Sequence, residues 1–202
     1  MKKNNLIIIG AGGHGRVVKD IALSMKKFKN ILFLDDNPPS GVSVAGKVSD
    51  FEKYLDNAVF VVGIGNNEIR KRIFLEIKEK GGKFVTLVHS SAVIGENVDL
   101  GNGSVIMPGV VINNGATFGN GVIVNTCSSI DHDCVIDSFA HVSVGVHLAG
   151  TVKVGDSSLI GVGAIVINNI TITANTTVSA GAVVVKDLLE SGTYVGIPAK
   201  KI

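Results

Sequence analysis

Every sixth residue from Ile94 to Val184 is apolar, and of these sixteen positions only Phe118 is not aliphatic. A second row lies two residues earlier, from Ala92 to Ala182, and holds only small or β-branched side chains. Residues two apart in a strand share a face, so both rows point to one side. Each group of six then makes one short strand and one turn. Three groups close a triangular coil, and residues 18 apart stack. Glycine and asparagine fill the turns, where positive φ is needed. A β-sandwich does not hold a fixed six-residue period. Residues 89–202 are therefore expected to form a parallel β-helix with a short carboxy-terminal tail.

Residues 1–88 follow a different pattern. Leu6–Ile9, Ile31–Leu34, Ala58–Val62 and Phe84–Val88 read as short apolar strands. His14–Lys26 and Glu68–Lys80 have helical spacing, with Gly81 and Gly82 closing the second. A weaker helix is expected over Asp50–Leu55. The alternation predicts a small parallel βαβαβ sheet covered by helices, a separate α/β domain.

Composition narrows the function. A net charge of +2 without basic clusters argues against a nucleic-acid partner. No apolar run approaches the roughly 18 residues of a membrane span. The start, MKKNNLIIIGAGG, is too short in its apolar part for an export signal, so a cytoplasmic location is expected. Cys127 and Cys134 read as buried small residues in a reducing compartment. The string Asp131-His132-Asp133-Cys134 lacks the paired ligand spacing of zinc motifs, and no metal is expected.

Gly10-Ala11-Gly12-Gly13-His14-Gly15 fits G-x-G-x-x-G between a strand and a helix. The domain has about half the strands of a full dinucleotide fold, so a mononucleotide is the better-fitting ligand. Backbone N–H groups at the helix start, at Gly12, Gly13 and His14, suit a diphosphate. A second loop at the same sheet edge begins at Gly65. In the repeat, His132 and Asp133 fall at an outer corner, while His141 and His147 point outward from flat faces. Gly150 follows His132 by 18 residues and lies one coil above it.

The strings IIGAGGHG, FLDD, GIGNNEIRK, NTCSSIDHDC, HVSVG and VGIPAK together resemble the hexapeptide-repeat acyltransferases. Within them, the chain is most similar to the sialic acid O-acetyltransferase and UDP-4-amino-sugar N-acetyltransferase group, and GIGNNEIRK with FLDD points to the bacillosamine-type N-acetyltransferases. The resemblance implies a left-handed β-helix after a Rossmann-like domain. It implies acetyl transfer from acetyl-CoA to the 4-amino group of a UDP-4-amino-4,6-dideoxy sugar, with a sialic acid hydroxyl as the alternative acceptor. It places the catalytic base at His132 beside Asp133, the uracil or ribose at Asp35 and Asp36, and acetyl-CoA contacts at His141 and near Val162. Gly150 N–H becomes a candidate for the thioester carbonyl or the CoA arm. Ala180 stands where relatives prefer glycine. A non-catalytic sugar-binding scaffold is disfavoured by His132, Asp133 and the G-x-P-A-K tail. A γ-type carbonic anhydrase is disfavoured because His132, His141 and His147 miss its ligand spacing. His132 and His141 are half an 18-residue coil apart, so a shared site requires a second chain, and a homotrimer is expected.

Overall fold

The computed structural model describes residues 5–202. Its first unit is a three-stranded parallel sheet. Strand β1 (Asn5–Ile9) lies between β2 (Ile31–Leu34) and β3 (Ala58–Val62), with Ile7 opposite Leu32 and Phe60. Helix α1 (Gly13–Met25) follows β1, and α2 (Asn67–Glu79) follows β3. Both faces of β1 are covered, which explains its unbroken apolar run. Leu6 and Ile8 pack with Val18 and Ile21 of α1, while Ile7 and Ile9 meet Phe51, Phe60 and Phe74. The weak helix expected near Asp50 is a 3₁₀ segment, Val48–Tyr54.

The glycine loop closes by contact. A Cβ on Gly15 would sit 2.0 Å from the Gly10 carbonyl oxygen, and one on Gly63 would sit 2.8 Å from Gly15 Cα. Strand end, helix start and neighbouring loop thus meet backbone to backbone, which only glycine permits.

The fourth strand expected in this sheet, Phe84–Val88, divides instead. Phe84 makes a single bridge to Phe60, whereas Leu87–Val88 pairs with Val105–Ile106. The chain has already entered the solenoid there, because that pairing buries Leu87 in the core of the prism.

From that point three parallel walls rise together. The first carries Val105–Ile106, Ile123–Val124, His141–Val142 and Leu159–Ile160. The second carries Val111–Ile112, Ser129–Ile130, His147–Leu148 and Ile165–Val166. The third carries Thr117–Phe118, Val135–Ile136 and Lys153–Val154. Partners are 18 residues apart, as in Ile123↔His141 and Ser129↔His147. The inward rows are buried through the middle coils, while Ile94 and Leu100 stay partly exposed because no coil lies beneath them.

Left-handed backbone recurs every sixth residue from Asn97 to Gly181. Not all of these positions are glycine or asparagine. Asp133 (φ 57°) and Phe139 (φ 60°) adopt the conformation too, at a cost that the surrounding ladder sustains. A strand pair Gly192–Val195 and Lys200–Lys201, antiparallel, ends the chain.

Candidate active site

His132 and Asp133 stand at the corner between the second and third walls. The His132 Nδ1–H donates to Asp133 Oδ2 at 2.8 Å, which leaves Nε2 as the acceptor nitrogen of the neutral ring. Both side chains are exposed, at 57% and 64%. The left-handed turn at Asp133 aims its carboxylate back at the preceding ring. That hydrogen bond raises the pKa of His132 above the ordinary histidine value. Asp131 does not compete for the ring. Its Oδ1 accepts from Asn113 Nδ2 and from the His132 backbone N–H, both at 2.8 Å, which holds its carboxyl below the usual range.

Gly150 packs directly over the imidazole. A Cβ there would lie 2.5 Å from His132 Nε2. The Gly150 N–H has no hydrogen-bond partner among the described residues, while its carbonyl accepts from Asn169. The corner therefore offers a base nitrogen, a carboxylate behind it and an unengaged donor beside it. That is the donor set needed for attack on a thioester with a developing oxyanion.

A second group of residues gathers where the α/β domain meets the first wall. The rings of His14 and His141 lie near each other, centroids 6.5 Å apart and tilted by 46°. Asn125 Nδ2 lies 3.1 Å from His141 Nε2, and the Gly65 backbone is hydrogen-bonded to the same ring. Burial first, then the Arg70 charge, pushes both histidines down to about 4. His14 Nε2 is buried with no hydrogen-bond partner among the described residues. Sequence reading left His141 on an open face; the α/β domain covers it. A cleft of about 450 Å³ opens here between Gly65, Asn66, Asn67 and the solenoid residues His141, Ser143 and Ser157.

Gly12 and Gly13 behave unlike Gly10 and Gly15 of the same loop. A Cβ on either would meet nothing within 4 Å. Neither packing nor positive φ requires glycine there, so the surface of the helix start stays open to a ligand. Asp35 is already engaged: Oδ2 accepts from Ala11 N–H at 2.6 Å and Oδ1 from Asn37 N–H at 2.7 Å. Its first duty is to brace the glycine loop. Asp36 is exposed and accepts from Val48 N–H at 3.0 Å.

Val162 and Ala180 stack on the corner between the first and second walls, with Gly181 N–H donating to Val162 O at 2.8 Å. Both are exposed. The fold thus makes three sets: His132, Asp133 and Gly150; His14, His141 and Gly65; Val162 and Ala180. It does not unite the first two in one chain. Sequence reading missed Asn125 and Arg70. Arg70 had a signal, being the one charged residue on the apolar stripe of α2 with Ile73, Phe74 and Ile77. Cys134 is buried as expected, but Cys127 is exposed, because it occupies a left-handed turn position.

Comparison with known proteins agrees with this architecture. Residues 5–77 match the PglD N-terminal domain family. The acetyltransferase domain of PglB from Neisseria gonorrhoeae is 38% identical, with a TM-score of 0.95 over 98% of this chain and 100% of that one. The chain belongs to the hexapeptide-repeat sugar N-acetyltransferase family. PerB from Caulobacter crescentus, solved with CoA and GDP-perosamine, is 36% identical with a TM-score of 0.92, over 98% of this chain and 97% of that one. UDP-N-acetylbacillosamine N-acetyltransferase of Bacillus subtilis is 30% identical over 116 residues, which span 51% of each chain. The solved relatives share both the α/β unit and the β-helix of this chain. Among the described residues, no helix is long and apolar enough to cross a membrane.

Proposed function

We propose that this protein transfers the acetyl group of acetyl-CoA to the 4-amino group of a UDP-4-amino-4,6-dideoxy sugar. The observation that carries the reading is the His132–Asp133 pair with Gly150, its N–H unengaged among the described residues, packed over the ring. The neutral sugar amine attacks the thioester carbonyl carbon. As the C–N bond forms, His132 Nε2 takes a proton from nitrogen, and Asp133 steadies the resulting imidazolium. The Gly150 N–H holds the oxyanion. Collapse breaks the C–S bond, and His132 returns the proton to the departing CoA sulfur. No covalent acyl-enzyme is needed.

The open helix start at Gly12 and Gly13 takes the diphosphate, with Asp36 at the nucleoside. Gly65 and His14 line the same edge. Val162 and Ala180 contact the CoA arm, and His141 completes the acetyl site. His141 faces the α/β domain on the first wall, and His132 stands at the opposite corner. A wall of six residues puts them roughly 15–20 Å apart at about 3.3 Å per residue. The α/β domain of one chain therefore serves His132 of a neighbour in a homotrimer. Exposed Val144, Val162, Ile165 and Ile167, on the first corner and second wall, suit burial between chains. Two free thiols suit a cytoplasmic location.

A second reading, a GDP-linked 4-amino sugar, is favoured by the likeness to PerB, whose structure holds GDP-perosamine. One experiment tests both. Acetylation is measured with the UDP-linked amine, GDP-perosamine and sialic acid, using wild type and His132→Ala. The UDP-linked amine is expected to give the highest kcat/KM, and His132→Ala to lower kcat by about 10²-fold or more. Preference for GDP-perosamine selects the second reading. Transfer only to sialic acid rejects both amine acceptors, and near-normal turnover by His132→Ala rejects His132 as the base.

A further inference from the structure

Arg70 is 1% exposed and is the only charged side chain so deeply buried among the described residues. Every hydrogen bond it makes goes to a carbonyl oxygen. Nε donates to Gly121 O at 2.8 Å. Nη1 donates to Ile64 O at 3.2 Å and Gly65 O at 3.0 Å. Nη2 donates to Asn67 Oδ1 at 2.8 Å, Phe139 O at 2.6 Å and, more weakly, Ala140 O at 3.4 Å. The oxygens come from the Ile64–Gly65 loop, the first turn of α2 and one corner of the solenoid in two successive coils. The last of them immediately precedes His141.

Burying a cation without a carboxylate is costly, and an apolar side chain would glue two domains as well. Adhesion is also supplied elsewhere. Lys71 pairs with Asp156, and Asn67 Nδ2 donates to Ser157 O at 2.9 Å and Ser158 O at 3.1 Å. What an apolar residue cannot do is fix three backbone segments at defined separations. A planar guanidinium can, because its five donors lie in a rigid fork. The two sides of the 450 Å³ cleft are the Gly65 loop and the His141 wall. Arg70 bonds directly to the loop and to the residues that lead into the wall.

We propose that Arg70 is a positioning residue that sets the width of this cleft, locking the Gly65 loop to the solenoid so that the acceptor-binding edge and the His141 wall form one rigid frame. The proposal rests on the reading of the Gly65 loop as part of the nucleotide-sugar site. The charge has a second consequence at the same place. It lies near both His14 and His141 and, together with their burial, keeps them neutral. Neutral rings can accept hydrogen bonds, as His141 does from Asn125.

The test uses Arg70→Lys, which keeps charge but loses the fork, Arg70→Met, which loses both, and Lys71→Met, which breaks an ion pair in the same seam without touching the loop. Calorimetry measures binding of UDP, GDP and CoA; NMR follows the imidazoles of His14 and His141; thermal melting reports stability. Arg70→Lys is expected to fold, to lose roughly tenfold in nucleoside diphosphate affinity, about 1.4 kcal/mol, and to keep CoA affinity within about twofold. In Arg70→Met, the two histidines titrate upward from about 4 toward the ordinary value. Lys71→Met is expected to melt earlier with nucleotide binding intact. Equal nucleotide loss in Lys71→Met, or lower stability in Arg70→Lys with unchanged nucleotide affinity, would overturn the proposal. If wild type binds neither UDP nor GDP, the substrate reading fails separately. Unchanged His14 and His141 resonances in Arg70→Lys would then overturn the frame itself.

Discussion

Gly150 stands one coil above His132, so close that a Cβ added to it would fall 2.5 Å from Nε2, the ring nitrogen that Asp133 leaves open. Its φ lies outside the left-handed region, so alanine meets no backbone penalty. Gly150→Ala is expected to change stability by less than about 1 kcal/mol, because the exposed His132 ring can swing aside. Its kcat should fall about tenfold or more, since displacing a base by about 1 Å is that costly. Steady-state kinetics beside a melting curve checks both halves; a large loss of stability with normal kcat contradicts the placement.

The Asp133 hydrogen bond raises the pKa of His132, so a larger share of the ring is protonated at neutral pH. A base must be neutral to act, so kcat should rise with pH through that raised value. In Asp133→Asn the rise should move to lower pH, because the carboxylate no longer favours imidazolium. The plateau should fall as well, by less than in His132→Ala. A pH profile of kcat for the two proteins decides it, and an unmoved acid limb counts against the pairing.

Asp35 and Asp36 should separate in their effects. Asp35 accepts two backbone N–H groups that hold the glycine loop, so Asp35→Ala should destabilise the protein by about 1–3 kcal/mol. Exposed Asp36 should be lost at little cost in stability, with a higher KM for the nucleotide sugar and unchanged acetyl-CoA binding. Denaturant titration and substrate kinetics of both variants provide the comparison.

His14 and His141 are both held down to about 4 in the fold, against about 6.5 in an unfolded chain. The unfolded state therefore binds more protons between these values, and stability must rise with pH across that window. Stability is full above about pH 6.5 and is lost as pH falls toward about 4. His141→Asn should flatten the dependence of Tm on pH in that range. An identical slope in wild type and variant would show that the His141 shift does not contribute to the acid limb.

Mixed assembly tests the shared site. Chains of His132→Ala and of His141→Ala, each impaired alone, should regain activity when refolded together, because some interfaces then pair an intact His132 with an intact His141. A fully active monomer by light scattering excludes the arrangement.

Much of the fold was legible because its signal is local and repeated. The six-residue rows place each inward side chain, the left-handed turns recur at the same interval, and the 18-residue stack alone puts Gly150 over His132. The glycine loop and both helices announce themselves through turn chemistry and 3.6-residue spacing. Partners far apart in the chain were not legible. The division of Phe84–Val88 between two sheets, the covering of His141 by the Gly65 loop, the capture of Asp35 by Ala11 N–H and the six carbonyls around Arg70 all depend on how distant segments dock on one another. Periodicity records which way a side chain points along its own strand or helix. Which partner it meets across 24, 51 or 70 residues of chain is decided only when the two surfaces are packed together and each buried polar group must find a partner.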